Sequence, residues 1–464
     1  MLKKIQYDRN ACAAGIVHVG VGAFHRAHQA AYINNLLKVD GQQGWGIIGV
    51  NLRPQDSSSL SALADQDHRY ILKTMSPENK VDYLEIGSIL SSYDWTVDPE
   101  GAASVASNDA IHMITMTVTE SGYYLFEDGS LDLSSPHIIE GLKGKGSCIY
   151  TYLRAALNLR REREGGLITL LSCDNLRDNG KKLKSGFQQF LLACEDKDLL
   201  SWVDKNVTFP CCVVDRITPR LDPKHASEVQ EMFDVDDHLT VVGESFSQWV
   251  IENNFAGKAP RFDLAGVEVV DDVSPYEEAK IRILNGGHTI LAYLAALKGY
   301  TTYDEGMCDP ELNEFFIDYQ LNDVIPAIET SPIDLDAYSD MVKIRFSNKN
   351  IADSVSRICA DGVNKFSIFI LVTLEAAYSK RIVPKYALQG VASWYVFMRH
   401  VKEKRIPFEY VEPNWSVVEA SLEEGGEMLF ARNTVLWGNL PEIYPNFIDN
   451  LLSAIDAMKG RFPI

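Results

Sequence analysis

The sequence predicts an α/β protein, with a doubly wound parallel sheet over residues 1–272 and a mostly α-helical domain over residues 273–464. Three observations predict it. A short apolar strand runs into a glycine turn and then a helix at the start of the chain. Strand-like and helix-like stretches alternate through the first half, which is the pattern of a parallel sheet wrapped by helices. Past Asp271-Asp272-Val273-Ser274-Pro275 the strand signal fades and helical spacing takes over. Together they describe a Rossmann-type first domain.

In chain order, Gly15-Ile16-Val17-His18-Val19-Gly20 is the first strand, and a helix is expected from about Ala27 to Leu37. Trp45-Gly46-Ile47-Ile48-Gly49-Val50 is the second strand. Tyr70-Ile71-Leu72, Ile111–Val118 and Leu167–Leu171 carry further strand signals, with a helix at Ile149–Leu159. The mixed run Arg160-Arg161-Glu162-Arg163-Glu164 reads as a solvated helix end. In the second domain Tyr276–Lys298 is expected to be a long helix interrupted at Gly286-Gly287. Ser367–Tyr378, Ala387–Glu403 and Ile448–Lys459 are expected to be helices as well.

Composition narrows the function classes. The net charge is −20, the charged share 23% and the hydrophobic share 46%. That is a globular composition rather than a disordered one. Its acidity opposes nucleic acid or an anionic membrane as the main partner. The eight cysteines are scattered with no C-x-x-C pair, which fits a reduced, cytoplasmic setting better than a disulfide framework. No apolar h-region follows Met1-Leu2-Lys3-Lys4, so no signal peptide is expected. The apolar run Phe366–Leu374 is about half the length a bilayer requires.

The first motif is Gly20-Val21-Gly22-Ala23-Phe24-His25-Arg26-Ala27-His28. A G-x-G between strand and helix lets backbone approach a pyrophosphate; a structural glycine turn is the plain alternative. Position 25, where the usual fingerprint has its third glycine, holds His25. The acid expected after the second strand is replaced by Asn51, with Arg53 and Asp56 nearby. Asp56 supports NAD and Arg53 leaves NADP open. His25 and His28 stand at metal-ligand spacing, but no Cys or carboxylate cluster accompanies them, so no metal is expected.

The second motif is Lys280 through His288. On an α-helix Asn285 would lie about 140° and His288 about 80° from Lys280, one broad polar face among apolar neighbours. Burial of Lys280 would favour its neutral amine, a base. An exposed lysine beside a capping asparagine is the alternative. Ser172-Cys173-Asp174-Asn175 closes a strand at the carboxyl edge of the sheet. Asp215 lies between apolar residues before a proline turn, and Arg357 and Lys365 flank Asp361-Gly362.

Taken in order, these segments resemble the long-chain polyol dehydrogenase family, that of mannitol 2-dehydrogenase. The resemblance runs from about residue 16 to near the C-terminus, and its signature is K-x4-N-x2-H at Lys280, Asn285 and His288. It implies metal-independent, NAD-dependent oxidation of a secondary alcohol of a sugar alcohol to a ketose. Lys280 matches the general base, and Asn285 and Asn175 the amides that hydrogen-bond the reacting oxygen. His288, Arg357 and Lys365 match residues that hold the polyol, and Asp215 one that supports the site. Gly20, Gly22, Phe24, His25, Arg26 and Asp56 are the expected cofactor contacts. Gly243–Phe255 and Pro275–Asn285 look like members acting on D-arabinitol, which implies D-xylulose as product. D-mannitol oxidation to D-fructose and reduction of a keto-uronate (fructuronate or tagaturonate) stand as alternatives within the family. A non-catalytic NAD-binding sensor and a zinc enzyme using His25 and His28 stand outside it. Glu277, one helical turn before Lys280, is a candidate proton relay to solvent. The resemblance allows a monomer, and the sequence identifies no partner surface.

Overall fold

The computed structural model describes residues 1–126, 128–219, 222–329 and 331–463. The chain divides into two units: Met1–Ser76 with Lys80–Ser274, and Pro77–Asn79 with the chain from Pro275 onward.

The first unit holds thirteen strands among the described residues: β1 Leu2–Lys3, β2 Ala14–Val19, β3 Gly46–Asn51, β4 Tyr70–Met75, β5 Val81–Ile86, β6 Ile89–Asp94, β7 Met113–Met116, β8 Ile168–Ser172, β9 Val207–Thr208, β10 Cys212–Asp215, β11 Val241–Glu244, β12 Gln248–Glu252 and β13 Glu268–Val270. Six of them form one sheet in the order β6-β3-β2-β7-β8-β9. Every pairing in it is parallel. Renumbered within that sheet the order is 3-2-1-4-5-6, which is the dinucleotide-binding doubly wound topology. Both faces are covered. Val17, Val19, Ile114, Met116 and Leu170 pack into one core, while Ile16, Ile47, Met113 and Leu171 pack into another. Near-continuous burial of β2, β7 and β8 follows from this.

The strand at Tyr70 does not belong to the doubly wound sheet. β4 sits in a mixed sheet of order β1-β5-β4-β11, antiparallel to β5 and parallel to β11. A third sheet, β10-β12-β13, is also mixed. The helix expected at Ala27–Leu37 is two helices, Ala23–Ala27 and Gln29–Leu36, broken at His28 by φ −117° and ψ −86°. Arg160 is not part of a solvated helix end. It is 1% exposed, and its guanidinium donates to the carbonyls of Gly166, Asn108 and Leu167.

The second unit is helical around one large core. At its centre runs Gly287–Leu297, buried at every position from Thr289 to Ala296, as expected of a helix apolar on all sides. The glycine pair does not interrupt the helix. Ser274–Ala279 is α-helical, Lys280–Gly286 is π-helical, and Gly287–Leu297 resumes the α form. Lys385–Lys402 packs across the central helix at Gly390, and Trp394 stacks on Phe366 at 4.3 Å. No helix among the described residues is long and apolar enough to cross a membrane.

A Cβ on Gly390 would fall 1.7 Å from Ile290 Cγ1. Gly390→Ala is therefore expected to destabilise the protein by roughly 1–3 kcal/mol through overpacking. A thermal melt of the variant beside the wild type checks this, and an unchanged melting temperature would contradict the close helix crossing.

Candidate active site

The chain turns sharply where β2 ends, at the point where strand order reverses between β2 and β7. Gly20 has φ +92°, and a Cβ there would lie 2.1 Å from the Thr117 carbonyl oxygen, so this position requires glycine. Its N–H donates to Val50 O at 2.9 Å, and the Gly22 N–H donates to Gly20 O at 2.8 Å. His18 lies beneath the turn. Its Nε2 is 3.2 Å from Gly20 O, its Nδ1 is 2.7 Å from Thr115 Oγ1, and its ring stacks on His25 at 3.4 Å. A carbonyl can only accept, so Nε2 carries the proton. Burial pushes the His18 pKa down to about 3 and keeps the ring neutral.

A cavity of about 930 Å³ opens over this turn, lined by Gly20, Gly22, Arg26, Asn51, Arg53, Asp56, Thr117, Val118, Thr119, Tyr124 and His137, among others. Nothing lies within 4 Å of where a Gly22 Cβ would sit. The residues fit a dinucleotide: bare backbone at Gly20 and Gly22, and polar groups at the ends of three parallel strands. Asn51 closes β3 by bonding the Arg53 backbone through both ends of its amide. Arg53 Nε pairs with Asp56 Oδ2 at 2.8 Å. Both side chains are about half exposed, where such a pair contributes only about 0–1 kcal/mol and yields readily to a ligand.

Other expected contacts lie elsewhere. Phe24 and His25 are outside the lining; Phe24 stacks on His28 at 5.1 Å, and His25 is fully buried. Arg26 reaches the cavity wall, but its guanidinium donates to Leu239 O and sits over the Tyr70 ring. His28 Nε2 donates to Gln248 O at 2.8 Å. His25 and His28 thus face different neighbours. No group of three or more His, Cys, Asp or Glu side chains among the described residues gathers as a metal cluster.

Beyond β8, Asp174 is buried and accepts from Val118 N–H (3.0 Å), Thr119 N–H (2.8 Å) and Tyr123 O–H (2.6 Å). Burial raises its carboxyl to about 6, with the three bonds opposing that shift. Thr119 has φ +69° and ψ 161°, a conformation that costs a β-branched residue about 1–3 kcal/mol. Asn175 follows and is exposed. Asp215 ends β10, buried, opposite Gln248.

In the helical unit, Lys280 is buried at the head of the π-helix. A π-helix bonds residue i to i+5, so Asn285 lies one turn beyond Lys280 on the same side. The α-helical angles predicted from the sequence do not apply there. His288, the second residue of the resumed α-helix, is flanked by Phe346 (4.7 Å, stacked) and Tyr303 (4.4 Å, edge-on). Burial, with Arg357, Lys365 and Arg345 nearby, pushes its pKa down to about 3 against the pull of Asp353. Arg357 pairs with Asp353 in a bidentate bond through Nε and Nη2, and Lys365 Nζ donates to Ile358 O at 2.7 Å. Glu277 is buried one turn before Lys280.

Sequence reasoning missed His18, Thr117, Thr119 and Asp174 as parts of the site. Only the placing of Asp174 at the carboxyl edge of a strand could have signalled it.

The sheet order and glycine cradle define a Rossmann-type nucleotide-binding unit joined in one chain to a helical unit. Residues 14–264 match the mannitol dehydrogenase Rossmann domain, and residues 272–459 match the mannitol dehydrogenase C-terminal domain. The chain belongs to the mannitol dehydrogenase family and is a polyol dehydrogenase. It is 38% identical over 450 residues to D-arabinitol 4-dehydrogenase of Ralstonia nicotianae, covering 96% of each chain. Its structure matches a D-sorbitol dehydrogenase in substrate-free form with a TM-score of 0.92 and 31% identity, covering 99% of this chain and 96% of that one. It also matches the ternary complex of Pseudomonas fluorescens mannitol 2-dehydrogenase with NAD and D-mannitol (TM-score 0.86, 30% identity, 99% and 94% covered).

Gly22→Ala places a methyl in the open cradle without touching protein. It is expected to leave the melting temperature unchanged while weakening NADH binding about tenfold or more, a loss of roughly 1.4 kcal/mol. Fluorescence titration with NADH measures this.

Proposed function

We propose that the chain oxidises D-arabinitol to D-xylulose with NAD, without a metal ion. The observation that carries the reading is a buried lysine opening a π-turn with Asn285 one turn beyond it, in a chain of this family. In this reading residues 1–272 form the dinucleotide-binding domain and residues 273–464 the substrate-binding and catalytic domain. Gly20, Gly22 and Asp56 hold the dinucleotide, Asp56 accepting from ribose hydroxyls when its pairing with Arg53 is exchanged. The bound dinucleotide accepts hydride from the carbinol carbon. Lys280 takes the hydroxyl proton, and its burial keeps bulk water from competing for it. The side-chain amides of Asn285 and Asn175 donate to the oxygen as it gains alkoxide character; removing one such donor typically costs about 2.7–4 kcal/mol of barrier. His288 is neutral, so it can both donate to and accept from hydroxyls. Arg357, Lys365 and Asp215 complete the polyol contacts. Glu277 passes the proton from Lys280 towards solvent.

A neutral substrate suits these groups better than a uronate. The Arg357 guanidinium is already matched by a carboxylate, so a substrate carboxylate would compete with Asp353 for it.

Initial rates of NAD and NADP reduction with D-arabinitol, D-mannitol, D-sorbitol, xylitol and ribitol test the reading, with fructuronate and tagaturonate assayed in reverse. The highest kcat/KM is expected for D-arabinitol with NAD, undiminished by EDTA. No turnover with any polyol would overturn it. Lys280→Ala should lower kcat by about 10²–10⁴-fold. In the same assay Glu277→Gln should alter the pH profile of kcat, and an unchanged profile removes the relay.

A further inference from the structure

Asp174 does not line the dinucleotide cavity, yet its side chain and its main chain hold two different segments. Its carboxylate is buried at the carboxyl end of β8 and takes the N–H groups of two consecutive residues, Val118 and Thr119, that line the dinucleotide cavity. One of them, Thr119, holds a backbone conformation that only glycine adopts freely. Tyr123 closes the set, its hydroxyl on Asp174 Oδ2 and 2.5 Å from Ser172 Oγ. The main chain of Asp174 acts in the opposite direction. Its carbonyl accepts from Leu176 N–H at 2.8 Å, closing a tight three-residue turn whose central residue is Asn175, and from Asn179 Nδ2 at 3.2 Å.

We propose that Asp174 is a positioning residue that sets, from one buried point, both the Val118–Thr119 wall of the dinucleotide cavity and the turn presenting Asn175. The proposal rests on the dinucleotide reading of that cavity. The residue type follows from the donors. Two N–H groups and one O–H converge on the two oxygens, and only an ionised carboxylate has acceptors on both sides. An amide in its place would turn an NH2 towards at least one N–H, leaving donor against donor. With the carboxylate gone, nothing else named here offsets the strain at Thr119, and that segment of cavity wall is free to relax to negative φ.

NADH binding to the full chain, followed by fluorescence without polyol, tests this independently of which polyol is the substrate. A wild type that bound no NADH would overturn the dinucleotide reading itself, and with it this proposal, before any variant is compared. Given wild-type binding, Asp174→Asn is expected to bind NADH about tenfold more weakly, and kcat on the polyol should fall as well. Glycine adopts positive φ without strain, so Thr119→Gly added to Asp174→Asn is expected to recover about threefold of the lost affinity. A purely structural role for Asp174 predicts no such rescue. Wild-type affinity in Asp174→Asn, or the full loss persisting in the double variant, overturns the proposal. Should Asp174→Asn fail to fold, Asp174→Glu keeps the charge but displaces the oxygens by one methylene. Weakened NADH binding there supports the proposal, and wild-type binding overturns it.

Discussion

The helical unit depends on one backbone constraint, the π-turn at Lys280–Gly286. A π-turn breaks the regular pairing of carbonyls with N–H groups, and a buried carbonyl without a partner costs about 1–3 kcal/mol. Here buried side chains add to the backbone pairing, since Ile283 O also accepts from the Gly287 N–H. Fully buried Gln320 donates Nε2 to Ile283 O at 2.8 Å, and the Tyr303 hydroxyl donates to Gly287 O at 3.1 Å. The partners must come close to do so. A Cβ on Gly287 would lie 2.6 Å from both Gln320 Nε2 and Phe316, and one on Gly286 would lie 3.0 Å from Tyr319 Oη. The glycine pair thus serves packing. Tyr319–Val324 and Phe366–Ile370 are themselves π-helical, and both meet the first π-turn at Gly286. The result is a register in which Lys280, Asn285 and His288 share one side of the helix.

Much of this was legible in the sequence, and the rest was hidden for physical reasons. Strands β2, β3, β7 and β8 announce themselves because a parallel strand buried on both faces must be a continuous apolar run. β5 has no such run, because only Tyr83 and Ile86 are buried and an acid, Asp82 or Glu85, interrupts each face. The Tyr70 strand was visible, but its sheet was not, since pairing is a long-range property. The spacing of Lys280, Asn285 and His288 was plain, but its meaning was not. Helical periodicity assumes 3.6 residues per turn, and two adjacent glycines look like a break until the packed aromatic opposite them is seen. Arg160 sits in a run of charges and reads as solvated, yet three carbonyl acceptors hold it in the core. His18 stands within an apolar strand and supports the Gly20 turn, a contact no strand pattern reveals.

The charged groups around His288 are held by local partners. The chain carries −20 overall, but the groups around His288 pair among themselves: Arg357 with Asp353, and Lys365 with a backbone carbonyl. His288 stays neutral because its aromatic neighbours deny its cation water. A neutral imidazole among such groups offers directed hydrogen bonds, which suits a ligand made of hydroxyl groups. A carboxylate ligand would instead compete with Asp353 for Arg357.

Each unit also contains backbone held away from its preferred geometry by buried polar side chains. In one, Asp174 opposes the strain at Thr119; in the other, Gln320 and Tyr303 add side-chain hydrogen bonds to carbonyls at and beside the π-turn. The magnitudes are compatible. A backbone conformation like that of Thr119 costs about 1–3 kcal/mol. A hydrogen bond to a charged acceptor contributes about 1.5–3 kcal/mol, and Asp174 receives two from this segment of backbone alone. The strain can therefore be offset locally without drawing on the hydrophobic core. That separation allows the cavity wall to be shaped independently of the stability of the sheet that carries it.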